Sequence, residues 1–273
     1  MTSATLARLE HDIAALASRV TSPAAPMTRE AMAERLGLDL DAWQRDALRS
    51  DARQLLLNVT RQGGKSTVAA LLGLHEALTK PNALVLAVSP GERQSKLLFR
   101  KLMGYYRALG KPVPSTVENK LSLELANGAE VHALPGQEDT IRGFSAVTLL
   151  LVDEASRVAD DLIAAVRPML AVSAGRLATM STPFGKRGWW WEAWDAGGTD
   201  WTRFEISATK CPRISPEFLA EERRALPPMF FASEYECQFV DPVDAFFRSE
   251  DIQAAISDTV VPLFPVGGRN HVA

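Results

Sequence analysis

One junction limits what this chain can fold into. An apolar run, Leu55–Val59, passes straight into Thr60-Arg61-Gln62-Gly63-Gly64-Lys65-Ser66-Thr67 and then into a helical pattern over Ser66–Leu78. Five residues, all apolar but Asn58, are too few for a helix and fit a strand covered on both faces. Glycines at a strand-to-helix turn reach backbone angles closed to other residues. Successive N–H groups can therefore close around an anion, and the helix N-terminus adds partial positive charge. The usual pattern for such a loop is GxxxxGK[ST]; Val59 stands where its first glycine would, so this loop is a variant. In this chemistry residues 60–67 cradle the phosphates of a nucleotide such as ATP. Lys65 bridges the β- and γ-phosphates, and Ser66 ligates Mg²⁺. The plainer alternative is a glycine-rich turn with an exposed lysine.

The rest of the pattern alternates in the same way. Strands are read at Ala83–Val88, Thr148–Val152 and Leu177–Ser181, and helices at Gln94–Leu109 and Asp160–Leu170. Leu121–Leu125 and Glu130–Leu134 flank Asn127-Gly128, which signals a hairpin. Continuous apolar strands alternating with helices predict an α/β fold with a mainly parallel sheet flanked by helices. Beyond about Thr209 the character changes to short helices. Ser215 is placed to cap, Pro216 to start and Glu217 to favour the first turn of one of them, and Pro227-Pro228 ends it. At the other end, Leu6, Leu9, Ile13, Leu16 and Val20 form one helical stripe, followed by a Ser/Pro/Ala linker over 21–26. The expected division is 1–26 helix and linker, 27–209 nucleotide-binding core, 210–251 helical appendage and 252–273 linker.

A second chemical signal follows the apolar run Leu149-Leu150-Leu151-Val152, where Asp153 and Glu154 emerge at the carboxyl end of the predicted strand. Ligands of open α/β sheets bind at that end. Asp153 suits Mg²⁺ and Glu154 suits a water to be oriented or deprotonated, a pairing that favours hydrolysis over transfer to a small acceptor. Taken alone, the same residues fit a solvated acidic turn.

Bulk properties narrow the partners. The formal net charge is −3, so any nucleic-acid contact has to be local. Arg93, Lys96, Arg100, Lys101, Arg107 and Lys111 lie in a stretch without an acidic residue. The spacing of Arg93, Lys96, Arg100 and Arg107 puts them on one helix face. Such a stripe can track duplex phosphates without reading bases, or be a solvated face. Tyr105 and Tyr106 are expected to pack, and Trp190, Trp191 and Trp194 to anchor the core or a hinge. Cys211 and Cys237 have no CxxC or histidine partner in the sequence, which fits a reducing compartment. No apolar run reaches the ~20 residues of a membrane span, and the N-terminus lacks the pattern of a signal peptide.

In these motifs the chain resembles the large terminase subunit of tailed viruses, over about residues 38–251. The resemblance implies a P-loop ATPase of the ASCE/RecA-like type with a small helical lid, and hence an ATP- and Mg²⁺-dependent motor that moves double-stranded DNA into a procapsid. It assigns Gln44, in Leu40-Asp41-Ala42-Trp43-Gln44, to adenine, and Arg61 to the loop arginine four residues before the lysine. Ser181-Thr182, in Met180-Ser181-Thr182-Pro183, match the family's coupling motif that senses the γ-phosphate. Arg142, in Thr140-Ile141-Arg142-Gly143, matches an arginine reaching into the neighbouring subunit's site, with Arg61 as the competing choice in cis. Residues 213–251 are similar to the lid. The resemblance further implies a homo-oligomeric ring, a pentamer on the portal, with the portal protein and small terminase subunit as partners in the cytoplasm of the bacterial host. The family continues into a nuclease; residues 270–273 look like the start of its first strand, so no nuclease activity is expected of this chain. Rival readings are a helicase-like or DNA-repair P-loop ATPase, and a nucleotide-binding assembly module without turnover.

Overall fold

The computed structural model describes residues 27–136, 143–241 and 255. The predicted N-terminal helix and linker, Arg142, and all but residue 255 of the C-terminal stretch from residue 242 lie outside them.

Eight strands form one mixed sheet in the order β3-β4-β5-β2-β6-β7-β1-β8. They are β1 (Gln54–Val59), β2 (Leu84–Ser89), β3 (Ser115–Glu118), β4 (Ser122–Leu125), β5 (Glu130–Pro135), β6 (Leu149–Asp153), β7 (Arg176–Ser181) and β8 (Trp201–Ile206). The six strands from β5 to β8 in that order are parallel; β3 and β4 extend one edge as antiparallel neighbours. The helices are α1 (Arg29–Arg35), α2 (Ala42–Arg49), α3 (Lys65–Thr79), α4 (Glu92–Ala108), α5 (Asp160–Val166), α6 (Gly188–Asp195), α7 (Pro216–Ala225) and α8 (Pro228–Glu236).

Period-two alternation sorts the strand side chains between two cores. Leu55, Leu57, Val59, Val85, Ala87, Leu149 and Leu151 pack against α1–α4 on one face. Leu56, Leu86, Val88, Leu150, Val152 and Leu177 pack against α5 and α6 on the other. All five residues of β6 are buried. Each fully buried Leu or Val contributes about 1.5–3 kcal/mol, so burial on both faces fixes the register of the central strands.

Several expectations are refined. The helix read over 160–170 is α-helical only to Val166 and continues as a 3₁₀ turn over Arg167–Leu170, because Pro168 lacks a donor and crowds the preceding turn. In the hairpin turn only Gly128 takes positive φ, at 79°. The edge strands β3 and β8 are absent from the apolar reading because their sequences, STVE and WTRFEI, are partly polar. Charged side chains on an edge discourage pairing with other chains. After β8, Ser215 Oγ accepts the Phe218 N–H at 3.2 Å and starts α7. α7 and α8 enclose a small cluster of Ala208, Phe231 and Tyr235. The tryptophans act as anchors: the Trp190, Trp191 and Trp194 rings lie 5.5, 4.7 and 5.9 Å from that of Phe239, just beyond α8. Tyr106 is buried and donates to the Val113 carbonyl at 2.6 Å. Both cysteines are free and buried. Among the described residues no helix is long and apolar enough to cross a membrane.

Candidate functional site

Parallel pairing brings the carboxyl ends of β1, β7 and β6 to one edge of the sheet. Asn58 of β1 is level with Ser181 of β7, and Asp153 of β6 with Met180. The glycine-rich loop leaves β1, the acidic pair leaves β6, and Ser181-Thr182 emerge between them.

The loop is closed by its own lysine. The buried Lys65 ammonium donates to the carbonyls of Val59 at 2.8 Å and Thr60 at 3.2 Å. Burial lowers its pKa, while the fields of Glu154 and Asp153 oppose that shift. The lysine and both carboxylates therefore lie within one another's electrostatic reach. Asp153 is 8% exposed. Burial first, and the Glu154 charge second, raise its carboxyl to about 6, against the pull of Lys65. Glu154 occupies the left-handed region at φ 51°, ψ 43°, and its N–H donates to Asp153 Oδ1 at 3.1 Å. A non-glycine residue held there is strained, and such strain clusters at functional sites.

Glycine is required at two loop positions. A Cβ on Gly63 would lie 2.6 Å from Val59 Cγ1. Gly64 has φ 97°, and a Cβ there would lie 2.5 Å from Gln44 Nε2 and 3.0 Å from Arg213 Nη2. Gln44, buried on α2, accepts the Asp41 N–H at 2.9 Å and donates to the Gly64 carbonyl at 3.3 Å. Both ends of its amide thus serve the protein backbone here.

Ser181 and Thr182 are buried. Ser156 Oγ lies 2.7 Å from Ser181 Oγ and donates to the Thr182 carbonyl at 2.8 Å, which ties the turn after β6 to the end of β7. Glu234 of α8 meets the same region. Its carbonyl accepts the Thr60 hydroxyl and the Arg61 N–H, at 2.9 and 3.0 Å. Its carboxylate accepts the Thr182 hydroxyl at 3.4 Å and lies 3.9 Å from Arg61 and 3.8 Å from Arg157. The buried Asn58 amide donates to the Cys237 carbonyl at 2.9 Å, so the C-terminus of α8 is fastened to β1.

The basic stripe divides. Arg93, Arg100 and Arg107 are exposed on α4, and Lys96 is partly so. Lys96 pairs with Glu92, and Arg107 and Lys111 with Glu118. Among the described residues Arg93 and Arg100 have no carboxylate within ion-pair distance. Lys101 leaves this face: half-buried, it donates to Thr67 Oγ1 at 3.1 Å, and Asp153 is among the charges acting on it. Lys101 thus belongs with the phosphate-loop helix rather than with the exposed stripe. Arg213, Glu234, Arg157 and Ser156 join the site without a local sequence signal, since their partners are 25 to 174 residues away.

Over residues 56–254 the chain matches the family described as terminase large subunit, T4likevirus-type, N-terminal. It is 22% identical over 241 residues to the large terminase subunit of Thermus phage G20c, an alignment that covers 75% of this chain and 49% of the phage protein. The chain therefore spans about half the length of the curated relatives it matches. The large terminase ATPase domain of Thermus phage P74-26 has a TM-score of 0.69 at 22% identity, covering 76% of this chain and 97% of that one. The large terminase of a thermophilic bacteriophage in complex with ADP has a TM-score of 0.62 at 11% identity, covering 74% of this chain and 54% of that one. These likenesses establish the P-loop NTPase fold.

Proposed function

This chain belongs to the terminase large subunit family, and from that premise we propose that it is an ATP-hydrolysing motor domain that drives double-stranded DNA into a procapsid. The observation that carries the reading is the meeting of Lys65, Asp153, Glu154 and the Ser181-Thr182 turn at the carboxyl ends of the parallel strands β1, β6 and β7. In this reading residues 60–67 hold the phosphates, Lys65 leaves its loop carbonyls for the β- and γ-oxygens, and Gln44 faces the base. Glu154 orients the attacking water and takes its proton.

The donor set fits Mg²⁺. Ser66, in the first turn of α3, and the buried Asp153 offer hard oxygen ligands. Among the described residues no cluster of three or more His, Cys, Asp or Glu forms a protein-only metal cage. Mg²⁺ at nucleotide sites is held by one or two protein oxygens together with phosphates and water, and supplies charge neutralisation at the β- and γ-oxygens.

The same proposal extends to a ring. Arg142 is the arginine offered to a neighbour's nucleotide, and Arg61 the one acting in cis. Residues 210–251 are proposed as the lid, and among the described residues Glu234 supports that reading by joining α8 to Arg61 and Thr182. Arg93, Lys96, Arg100 and Arg107 are proposed to track DNA phosphates. The host cytoplasm, the portal protein and the small subunit are the setting and partners this implies. The test is steady-state ATPase activity measured against protein concentration, with and without duplex DNA. Turnover that rises faster than linearly with concentration, and rises again with DNA, is expected. Nucleotide binding without turnover under every condition would reduce the chain to an assembly module.

A further inference from the structure

Arg213 has no part in the reading above, yet it touches the phosphate loop. One of its nitrogens, Nη2, donates to the Gly63 carbonyl at 2.9 Å and to Asp41 Oδ2 at 2.8 Å. The peptide between Gly63 and Gly64 is planar and trans, so its carbonyl and N–H point in opposite directions. Holding the Gly63 oxygen towards Arg213 turns the Gly64 N–H the other way. That N–H has no acceptor among the described residues. The next peptide is held through the Gly64 carbonyl, which accepts the Thr67 and Val68 N–H groups of the first turn of α3 as well as the Gln44 amide. The Asp41 carboxylate keeps the guanidinium in place. Gly64 has no side chain to limit its own rotation, so an outside restraint decides where its amides point.

We propose that Arg213 is a positioning residue for nucleotide binding: it pre-sets the Gly63–Gly64 peptide so that the Gly64 N–H faces the phosphates. The inference rests on the nucleotide-site reading. It adds a contact from the segment between β8 and α7 that reaches the loop from behind, without touching the ligand. Pre-orientation removes an ordering cost that is the same for every ligand using that N–H. The effect belongs to binding rather than to the chemical step.

The test is calorimetric titration of the full chain with Mg²⁺-ADP and with a non-hydrolysable ATP analogue, together with kcat and KM for ATP. Losing a hydrogen bond made by a charged group predicts that Arg213→Ala weakens both ligands about tenfold. KM should rise in step, and kcat at saturation should stay within about twofold of the parent. Arg213→Lys keeps the charge but not the rigid, planar guanidinium that places Nη2 between its two acceptors, and should fall between the parent and Arg213→Ala. Unchanged ADP affinity in both variants, with unchanged melting temperature, overturns the proposal. Loss confined to the ATP analogue, or loss of kcat with KM intact, overturns it as well, because a preset loop amide does not distinguish those cases. If Arg213→Ala does not fold, Arg213→Lys decides alone: affinity equal to the parent's refutes the role. Failure of the unmutated chain to bind ADP would strike the nucleotide-site reading itself.

Discussion

Glu154 carries two burdens that substitution can separate. Its backbone is in the left-handed region, at φ 51°, which costs a non-glycine residue roughly 1–2 kcal/mol. Its side chain adds a negative charge beside the buried Asp153 and helps raise that carboxyl. Glu154→Gln removes the charge and keeps the strain; Glu154→Gly removes both. Glycine gives back about 0.5–1 kcal/mol through the freedom of the unfolded chain, so Glu154→Gly should be the more stable of the two by about 0.5–1 kcal/mol. For a domain of this size that is about 1–4 °C in melting temperature. Differential scanning calorimetry without nucleotide is the assay, with both variants under identical buffer. Turnover should drop about 10²–10⁴-fold in both, as expected when a general base is lost, while ADP binding persists. A glycine variant that melts below the glutamine variant would refute the strain argument. Hydrolysis within a few-fold of the parent's would remove Glu154 from the chemistry.

Three other outcomes follow from the same structure. Asp153 is raised to about 6 from 3.8, so between those values the folded chain holds a proton the unfolded chain has lost. Stability of the nucleotide-free protein should therefore fall as pH rises from about 4 to about 6, by on the order of 3 kcal/mol. Urea unfolding across that window should show the fall in the parent and a flatter profile in Asp153→Asn. Trp190 is fully buried and donates to Thr179 Oγ1 at 3.1 Å, so Trp190→Ala should lower unfolding free energy by about 3–5 kcal/mol, read from the denaturant midpoint. Replacing Arg93 and Arg100 with Gln should weaken duplex binding about equally for unrelated sequences and reduce the salt slope by about one to two; unchanged binding would leave α4 a solvated face.

Local order was legible from the residues alone. The strand–loop–helix at 54–79 was readable because glycine, lysine and a following helix are local requirements of one piece of backbone. Asp153-Glu154 were readable because a continuous apolar run marks a central strand and stops at them, whereas Ser181-Thr182 were picked out only by the resemblance of their motif. Tertiary structure decided which of these ends meet. It inserted β7 between β1 and β6, put polar β8 on the edge, and turned Lys101 inward to Thr67. It also brought Arg213 to Gly63 and Glu234 to Arg61 and Thr60, across 150 and more residues. Periodicity records whether a side chain faces core or water. It does not record which distant carbonyl a guanidinium or a hydroxyl will find, because that depends on the order of strands in the sheet and on how closely the elements at its edge approach.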